Sequence, residues 1–461
     1  MAALQRLALR GTPKATKQAA RYTPAGGAER CGMCRHYVPS SSCARIEGPV
    51  SAAGWCQLYS QQVTWRPRAG QDAGFNPGLV PPGVTLDLSF LSAGTLDPRI
   101  TFTRASTATY FDATGTMKPA TANAPRWDYD PVTHALRGLL IEEARTNVWL
   151  YSADPTNAAW TKGQAGSVAP VVTGNQIAAP DGTVTGCRAV FPALTVVGNF
   201  TLLYQSFTLT AVPYTLSVWL KGNAGGEQLY LGISNSAATV FYSTPVTLTT
   251  QWQRFALTTP ALTAGLWFVD IGTDRRDPAQ AATSAQTIYV WGAQLEQGAF
   301  PTSYIPTTAA AVTRSADLCS IPTSPWYNFN FVSLLFEIYN PVQPSGALGG
   351  FGDNTNFPNS LYLSTGTTFN RGGISSASSG PLIVGAVNKT CGTLTTSTIQ
   401  CCTNAGVIGS VANAGGAAGA VTLLALGGAA WFLDGTMNGH MRRARYWPRV
   451  LTNAEMRSVT T

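Results

Sequence analysis

Apolar and polar positions alternate with a two-residue period through the middle of the chain. In Tyr214 to Lys221 the apolar side chains of Tyr214, Leu216, Val218 and Leu220 alternate with polar ones, which predicts a strand buried on one face. Leu229, Leu231 and Ile233 repeat the period beyond a Gly225-Gly226 turn. Trp252, Phe255 and Leu257 mark another strand, and Ile288 to Gly298 closes the block. Trp219 falls on the polar face with Thr215, Ser217 and Lys221, so a second layer or a ligand must cover its ring. Alternating runs also flank the block, at Val84 to Phe90, Phe102 to Asp112, Gly138 to Asn147, Phe331 to Ile338 and Ser360 to Leu363. A short final helix is predicted where Thr452 and Glu455 form a capping box.

These patterns predict an all-β, multidomain chain with two β-sandwiches. A Pro/Gly-rich linker at 70–83 separates a basic arm (1–30) and a cysteine-rich module (31–69) from the rest. Beyond it we expect a β-rich collar (84–151) packed on a central sandwich (152–312), then a second sandwich (313–461). Charged residues are 11% of the chain, against roughly 25% in an average soluble protein. Together with abundant Gly, Ser, Thr and Pro, this favours a turn-rich particle or surface protein, and 45% hydrophobic content excludes wholesale disorder. The uncharged stretch 390–433 reads as two buried strands around the Gly427-Gly428 turn rather than a membrane helix, and residues 1–10 lack the apolar core of a secretory signal.

The net charge of +8 raises a nucleic-acid partner, but its distribution argues against one. Arg6, Arg10, Lys14, Lys17, Arg21 and Arg30 stand against Glu29 alone, so +5 of the total lies in the first thirty residues. The nearly neutral remainder offers no basic groove, and no specific nucleic acid is expected. The arm is either a solvated tail or a segment that orders on an acidic partner surface. Arg442, Arg443, Arg445 and Arg449 form the one dense basic patch elsewhere; they suit an acidic glycan, a neighbouring subunit or a solvated strand face equally.

Cys31, Cys34, Cys43 and Cys56, spaced C-x2-C-x8-C-x12-C, carry the sharpest chemical signal. Four thiols so placed suit an iron–sulfur cluster, a zinc ion or two disulfides. Tyr37, Trp55 and Tyr59 would flank a bound centre. The Gly54-Trp55-Cys56-Gln57-Leu58-Tyr59 run resembles the high-potential iron–sulfur proteins, and that resemblance implies that these four cysteines hold a [4Fe–4S] cluster.

For sugar binding, Trp160, Trp219, Trp252, Trp267 and Trp291 are the candidate stacking rings. Most should be core; Trp219 is preferred from its polar-face position, and Trp267 is next. Glu142 and Glu143 are adjacent, so they point to opposite faces of a strand and suit ion pairs with Arg126, Arg137 or Arg145 better than paired catalysis. Asp270, Asp274 and Asp277, beside Arg275 and Arg276, fit a salt-bridged loop better than a calcium site.

Two further resemblances add to this reading. Ile288 to Gly298 followed by Thr302 to Thr307 resembles the last strand and exit of carbohydrate-binding jelly rolls found in tailed-bacteriophage structural and host-attachment proteins. Pro125 to Asn147 is similar to segments that precede such modules. The close, Trp431 to Leu451 and then the short helix, resembles concanavalin-like, laminin-G-type sandwiches, and it lacks the E-x-D-x-E strand of hydrolases on that fold. The resemblances imply a non-enzymatic virion protein on the tail or head exterior. It would be oligomeric, would dock on other virion proteins through its N-terminal part and would bind host-surface carbohydrate. The alternatives are a head or neck decoration protein, a polysaccharide depolymerase and a redox protein.

Overall fold

The computed structural model describes residues 81–461, except 329–330, 341, 343–345, 354–360, 365–367, 372–374, 416–420 and 430–436, together with the backbone of two short strands nearer the N-terminus. Met1–Gly83 and Val84–Thr461 form separate compact units, a division at the end of the Pro/Gly-rich stretch. In the first unit Tyr37–Val38 pairs antiparallel with Ser42–Cys43, placing Tyr37 opposite Cys43. Cys31, Cys34, Cys56, the side chain of Cys43 and the basic arm lie outside the described residues.

Among its described residues the second unit is all-β but for the helix Asn453–Val459, whose Thr452–Glu455 capping box is formed as expected. Its centre is a sandwich of two five-stranded antiparallel sheets. One, here the open sheet, runs Thr161–Ala165, Phe200–Leu209, Gly265–Asp274, Gln228–Asn235, Phe241–Thr247. The other, the covered sheet, runs Val171–Ile177, Gly186–Phe191, Gln286–Gln297, Tyr214–Gly222, Gln253–Thr258. Alternation sorts the side chains as predicted. Tyr214, Leu216, Val218 and Leu220 meet Leu229, Leu231, Ile233, Val269 and Ile271 in one core, where each large apolar side chain buried contributes about 1.5–3 kcal/mol.

Strand Gln286–Gln297 keeps both of its ends in phase by an extra residue. Trp219 pairs with Trp291 but Ser217 pairs with Gln294, so the longer strand bulges at Gly292, which adopts φ +66°. Ile288 and Val290 before the bulge, and Ala293 and Leu295 after it, therefore all face the core.

The C-terminal sandwich is larger, and it changes the domain reading. Leu86–Ser89 and Leu136–Ile141 both pair with Gly439–Trp447, and Thr101–Thr103 pairs with Leu318–Pro322. Leu86, Leu88, Phe90, Leu139 and Ile141 fill the core of this sandwich alongside Phe336, Phe351 and Tyr446. The stretch read as a collar is thus mostly an integral part of the C-terminal sandwich. The hairpin of Ala108–Phe111 and Met117–Ala120 does pack on the central one. The central sandwich is an insertion: the chain leaves through Arg145–Asn147 and returns through Val312–Arg314, paired antiparallel with Arg145 opposite Arg314. Strand Leu423–Leu426 is mainly buried, and no helix among the described residues is long and apolar enough to cross a membrane.

A buried ionic network fixes the junction. Asp317 accepts from Arg104 at 2.9 Å and Arg126 at 2.5 Å, while Glu142 pairs with Arg126 at 2.8 Å and Arg314 at 3.6 Å. Ser303, on the segment leaving the central sandwich, donates to Glu142 through its backbone N–H and its hydroxyl. Burial alone would raise the Glu142 pKa, but Arg314, Arg126 and these Ser303 bonds hold it well below the usual carboxylate range.

Candidate functional site

The outer face of the open sheet carries aromatic rings amid small polar residues. Trp267, Val269 and Ile271 point into the core, so Leu266, Phe268 and Asp270 point outward. Register places Ser206 and Ser234 on either side of Phe268, Phe241 beyond Ser234, and Tyr204 and Gly232 on either side of Asp270. Phe200, Tyr204, Tyr230, Phe241 and Phe268 are half-buried. The Tyr204 and Phe268 rings meet edge to face at 5.4 Å, and the Arg276 guanidinium lies 4.2 Å over Phe200 while pairing with Asp274.

Two glycines shape this face by lacking side chains. A Cβ on Gly163 would come within 2.6 Å of the Tyr204 ring, and one on Gly232 within 2.4 Å of the Asp270 carboxyl. The ring and the carboxyl can therefore lie across the sheet. Asp270 is only 2% exposed, and its Oδ1 and the Ser234 hydroxyl have no hydrogen-bond partner among the described residues. Burial, with the nearby Asp274 and Asp277 charges, pushes the Asp270 pKa up to about 8, against the pull of Arg276. At one end of the face Tyr230 Oη accepts the Ala281 N–H, and Asp277 accepts the Ser243 hydroxyl.

The outer face of the covered sheet is partly closed by a second layer. Trp219 is 6% exposed and packs with Met117, Ala179, Trp291 and Tyr304, with Phe111 against it edge-on at 5.6 Å. The expectation of Trp219 as an open stacking platform is corrected: the hairpin covers the ring. Trp267 is corrected too. It is 2% exposed, stacks on Tyr242 inside the main core, and donates its indole N–H to Thr263 O. Trp160 and Trp291 are also buried, leaving Trp252 as the half-exposed ring of the five.

Beside Trp252 lies a cleft of about 490 Å³ between the covered sheet, the hairpin and the C-terminal sandwich. Trp219, Trp252, Arg254 and Phe300 line it from the central sandwich, and Asp128, Arg137, Glu142 and His440 from the other side. A neighbouring hollow of about 540 Å³ shares Phe111, Pro131, Val132 and both tryptophans. His440 Nε2 and Asp128 Oδ2 are 2.8 Å apart, and Asp128 Oδ1 accepts the Phe111 N–H. Arg254 donates to Thr302 O and Ser217 Oγ, and its Nε has no partner among the described residues. Burial lowers its pKa; for the equally enclosed Arg126, Asp317 and Glu142 more than reverse the effect of burial.

Glu142 and Glu143 do not form a catalytic pair. The first sits in the buried network, and the second pairs with Arg145 at 2.5 Å. Asp274 is held by Arg276, and no cluster of three or more metal-ligating side chains is found among the described residues. In the basic patch, Arg442, Arg445 and Arg449 are half-buried and pair within the chain with Glu337, Asp87 and Glu455. Sequence reasoning missed Tyr204 and Phe241, missed the outward ring of Phe268, and read Asp270 only as one acid of a salt-bridged loop. The phase of strand 265–274 could have found the last two, because Trp267 keeps step with Val269 and Ile271.

No protein-family model and no curated protein matches the chain. Among solved structures it is similar to the CBM22-1 xylan-binding domain from Paenibacillus barcinonensis Xyn10C, at 11% identity, covering 34% of this chain and 94% of that one, with a TM-score of 0.24. Domains LG4-5 of the mouse laminin alpha1 chain match at 10% identity, covering 55% of this chain and 90% of that one, with a TM-score of 0.22. The enzymatically active domain of bacteriophage CBA120 tailspike protein 4 matches at 14% identity over 33% of this chain and 21% of that one, with a TM-score of 0.25. At these scores no residue correspondence follows, and the site stands on its own geometry.

Proposed function

We propose that this chain is a carbohydrate-binding structural protein whose open sheet face takes a glycan. The observation that carries this reading is the pairing of half-exposed rings with unmet polar groups. Register sets Tyr204 beside Asp270, and Phe268 and Phe241 on either side of Ser234, and Asp270 Oδ1 and Ser234 Oγ are enclosed with no hydrogen-bond partner among the described residues. Buried polar groups are nearly always satisfied, so a ligand that brings hydroxyls completes them. A sugar brings hydroxyls at its rim and a C–H face that packs on aromatic rings. The commitment of Glu142 and Glu143 to ion pairs supports binding rather than hydrolysis.

The test is calorimetric titration against a panel of neutral oligosaccharides. Phe268→Ala and Tyr204→Ala should each weaken binding about tenfold, about 1.4 kcal/mol, with the fold retained. Unchanged affinity in both variants would remove the open face from consideration.

The sequence resemblances support a larger setting: a tailed-phage virion exterior, with the N-terminal part docking on other virion proteins, copies assembled as an oligomer, and the sandwiches displayed toward host-surface glycan. Labelling of intact particles tests that placement, and absence from them would sink it. In the N-terminal unit, Cys31, Cys34, Cys43 and Cys56 are proposed to hold a [4Fe–4S] cluster. Elemental analysis of the native chain distinguishes iron from zinc and from disulfides without metal.

A further inference from the structure

We propose that the cleft beside Trp252 is a second ligand site, specific for a carboxylate-bearing sugar, in which Arg254 and the Trp219 indole N–H receive the carboxylate and the Trp252 ring packs against the sugar. This site lies on the opposite face of the central sandwich from the open face and does not depend on it.

The argument begins with strand register. Trp219 and Arg254 are directly opposed on neighbouring antiparallel strands, so both project from the same outer face, and both line the cleft. Each carries an enclosed N–H donor without an acceptor among the described residues, Trp219 Nε1 and Arg254 Nε. Arg254 also has no carboxylate within 4 Å among the described residues, whereas Arg104, Arg126, Arg137 and Arg314 each have at least one. The acids nearby are already engaged. Glu296 accepts from Thr302 and Gln294, Glu142 from Ser303 and Arg126, and Asp128 from Phe111. An enclosed cation with only the longer-range pull of Glu296 and Glu142, beside an unfilled donor, calls for an anionic acceptor in direct contact.

The walls narrow the choice of anion. Asp128 and Glu142 also line the cleft, so a doubly charged phosphate meets more repulsion there than a singly charged carboxylate. Trp252 and Phe300 supply ring surface, and about 490 Å³ falls within the usual range for a small-molecule site. A uronic-acid unit presents both a carboxylate and a C–H face.

Trigalacturonate, with maltotriose as the neutral comparison, is titrated into the full chain and into Arg254→Gln, Trp252→Ala and Phe268→Ala, each checked for an intact fold by near-ultraviolet circular dichroism. We expect trigalacturonate to bind the parent at least tenfold more tightly than maltotriose, with affinity falling as salt rises. Arg254→Gln and Trp252→Ala should each lose at least tenfold, and Phe268→Ala should keep the parent's preference for the acidic sugar over the neutral one. If Arg254→Gln does not fold, the half-exposed Trp252 decides the question. The proposal is overturned if the parent shows no preference for the acidic sugar, if the folded cleft variants bind unchanged, or if Phe268→Ala abolishes binding. That last result would transfer the acidic sugar to the open face, whereas failure of neutral sugars alone would count only against the open-face reading.

Discussion

Trp267 and Phe268 are neighbours in sequence and face opposite sides of one sheet, and that single step separates core from candidate site. The larger ring attracts attention in the sequence, yet its phase with Val269 and Ile271 commits it to the interior. For Trp219 the sequence showed that the ring leaves the main core; it could not show that Phe111 and Met117, a hundred residues earlier, cover it. Asp270 was legible only as an acid in a loop-like cluster, because its enclosure depends on Tyr204 and Gly232 from neighbouring strands. It yields a pH prediction. With its folded pKa at about 8 and its unfolded value near 3.8, the native state holds the proton longer, so stability falls as pH rises from about 4 to about 8 and levels off above. The slope for this one proton is at most about 1.4 kcal/mol per pH unit. Asp270→Asn should flatten the curve in that window, as measured by urea unfolding between pH 4 and pH 9; a variant that tracks the parent would show that the carboxyl ionises normally.

At the level of single elements, the strands and the capped helix were readable because alternation and caps are local signals. The bulge was not. Gly292 looks like any strand glycine until its φ of +66° and the 3.1 Å separation between an added Cβ and the Trp219 ring are known. Gly292→Ala should cost about 1–2 kcal/mol from the left-handed backbone alone, with the Trp219 contact adding to it. Thermal melting provides the measurement. Loss of stability should come with altered near-ultraviolet signal from the Trp219–Trp291 pair, since the bulge sets their register; a melt identical to the parent's would mean that the strand re-registers freely.

For the whole molecule, the two-sandwich plan was legible but the ownership of strands was not. A period of two tells which face of a strand is buried and is silent about which strand lies beside it. Leu86–Ser89 finds its partner in Gly439–Trp447, with Asp87 bonded to Arg445 some 358 positions away. The ionic network joins these distant parts: Asp317 alone engages Arg104 and Arg126 and accepts the Glu142 backbone N–H. Asp317→Ala leaves buried guanidiniums without their counter-charge and should cost about 3–5 kcal/mol, read as a fall in the denaturant midpoint. A loss below about 1 kcal/mol would mean that water replaces the carboxylate. The strands Arg145–Asn147 and Val312–Arg314 leave the ends of the central sandwich side by side. That makes the inserted domain a cassette in the genetic sense: two crossovers at neighbouring points in space, though far apart in the gene, exchange this sandwich for another with paired ends and leave the surrounding scaffold in register.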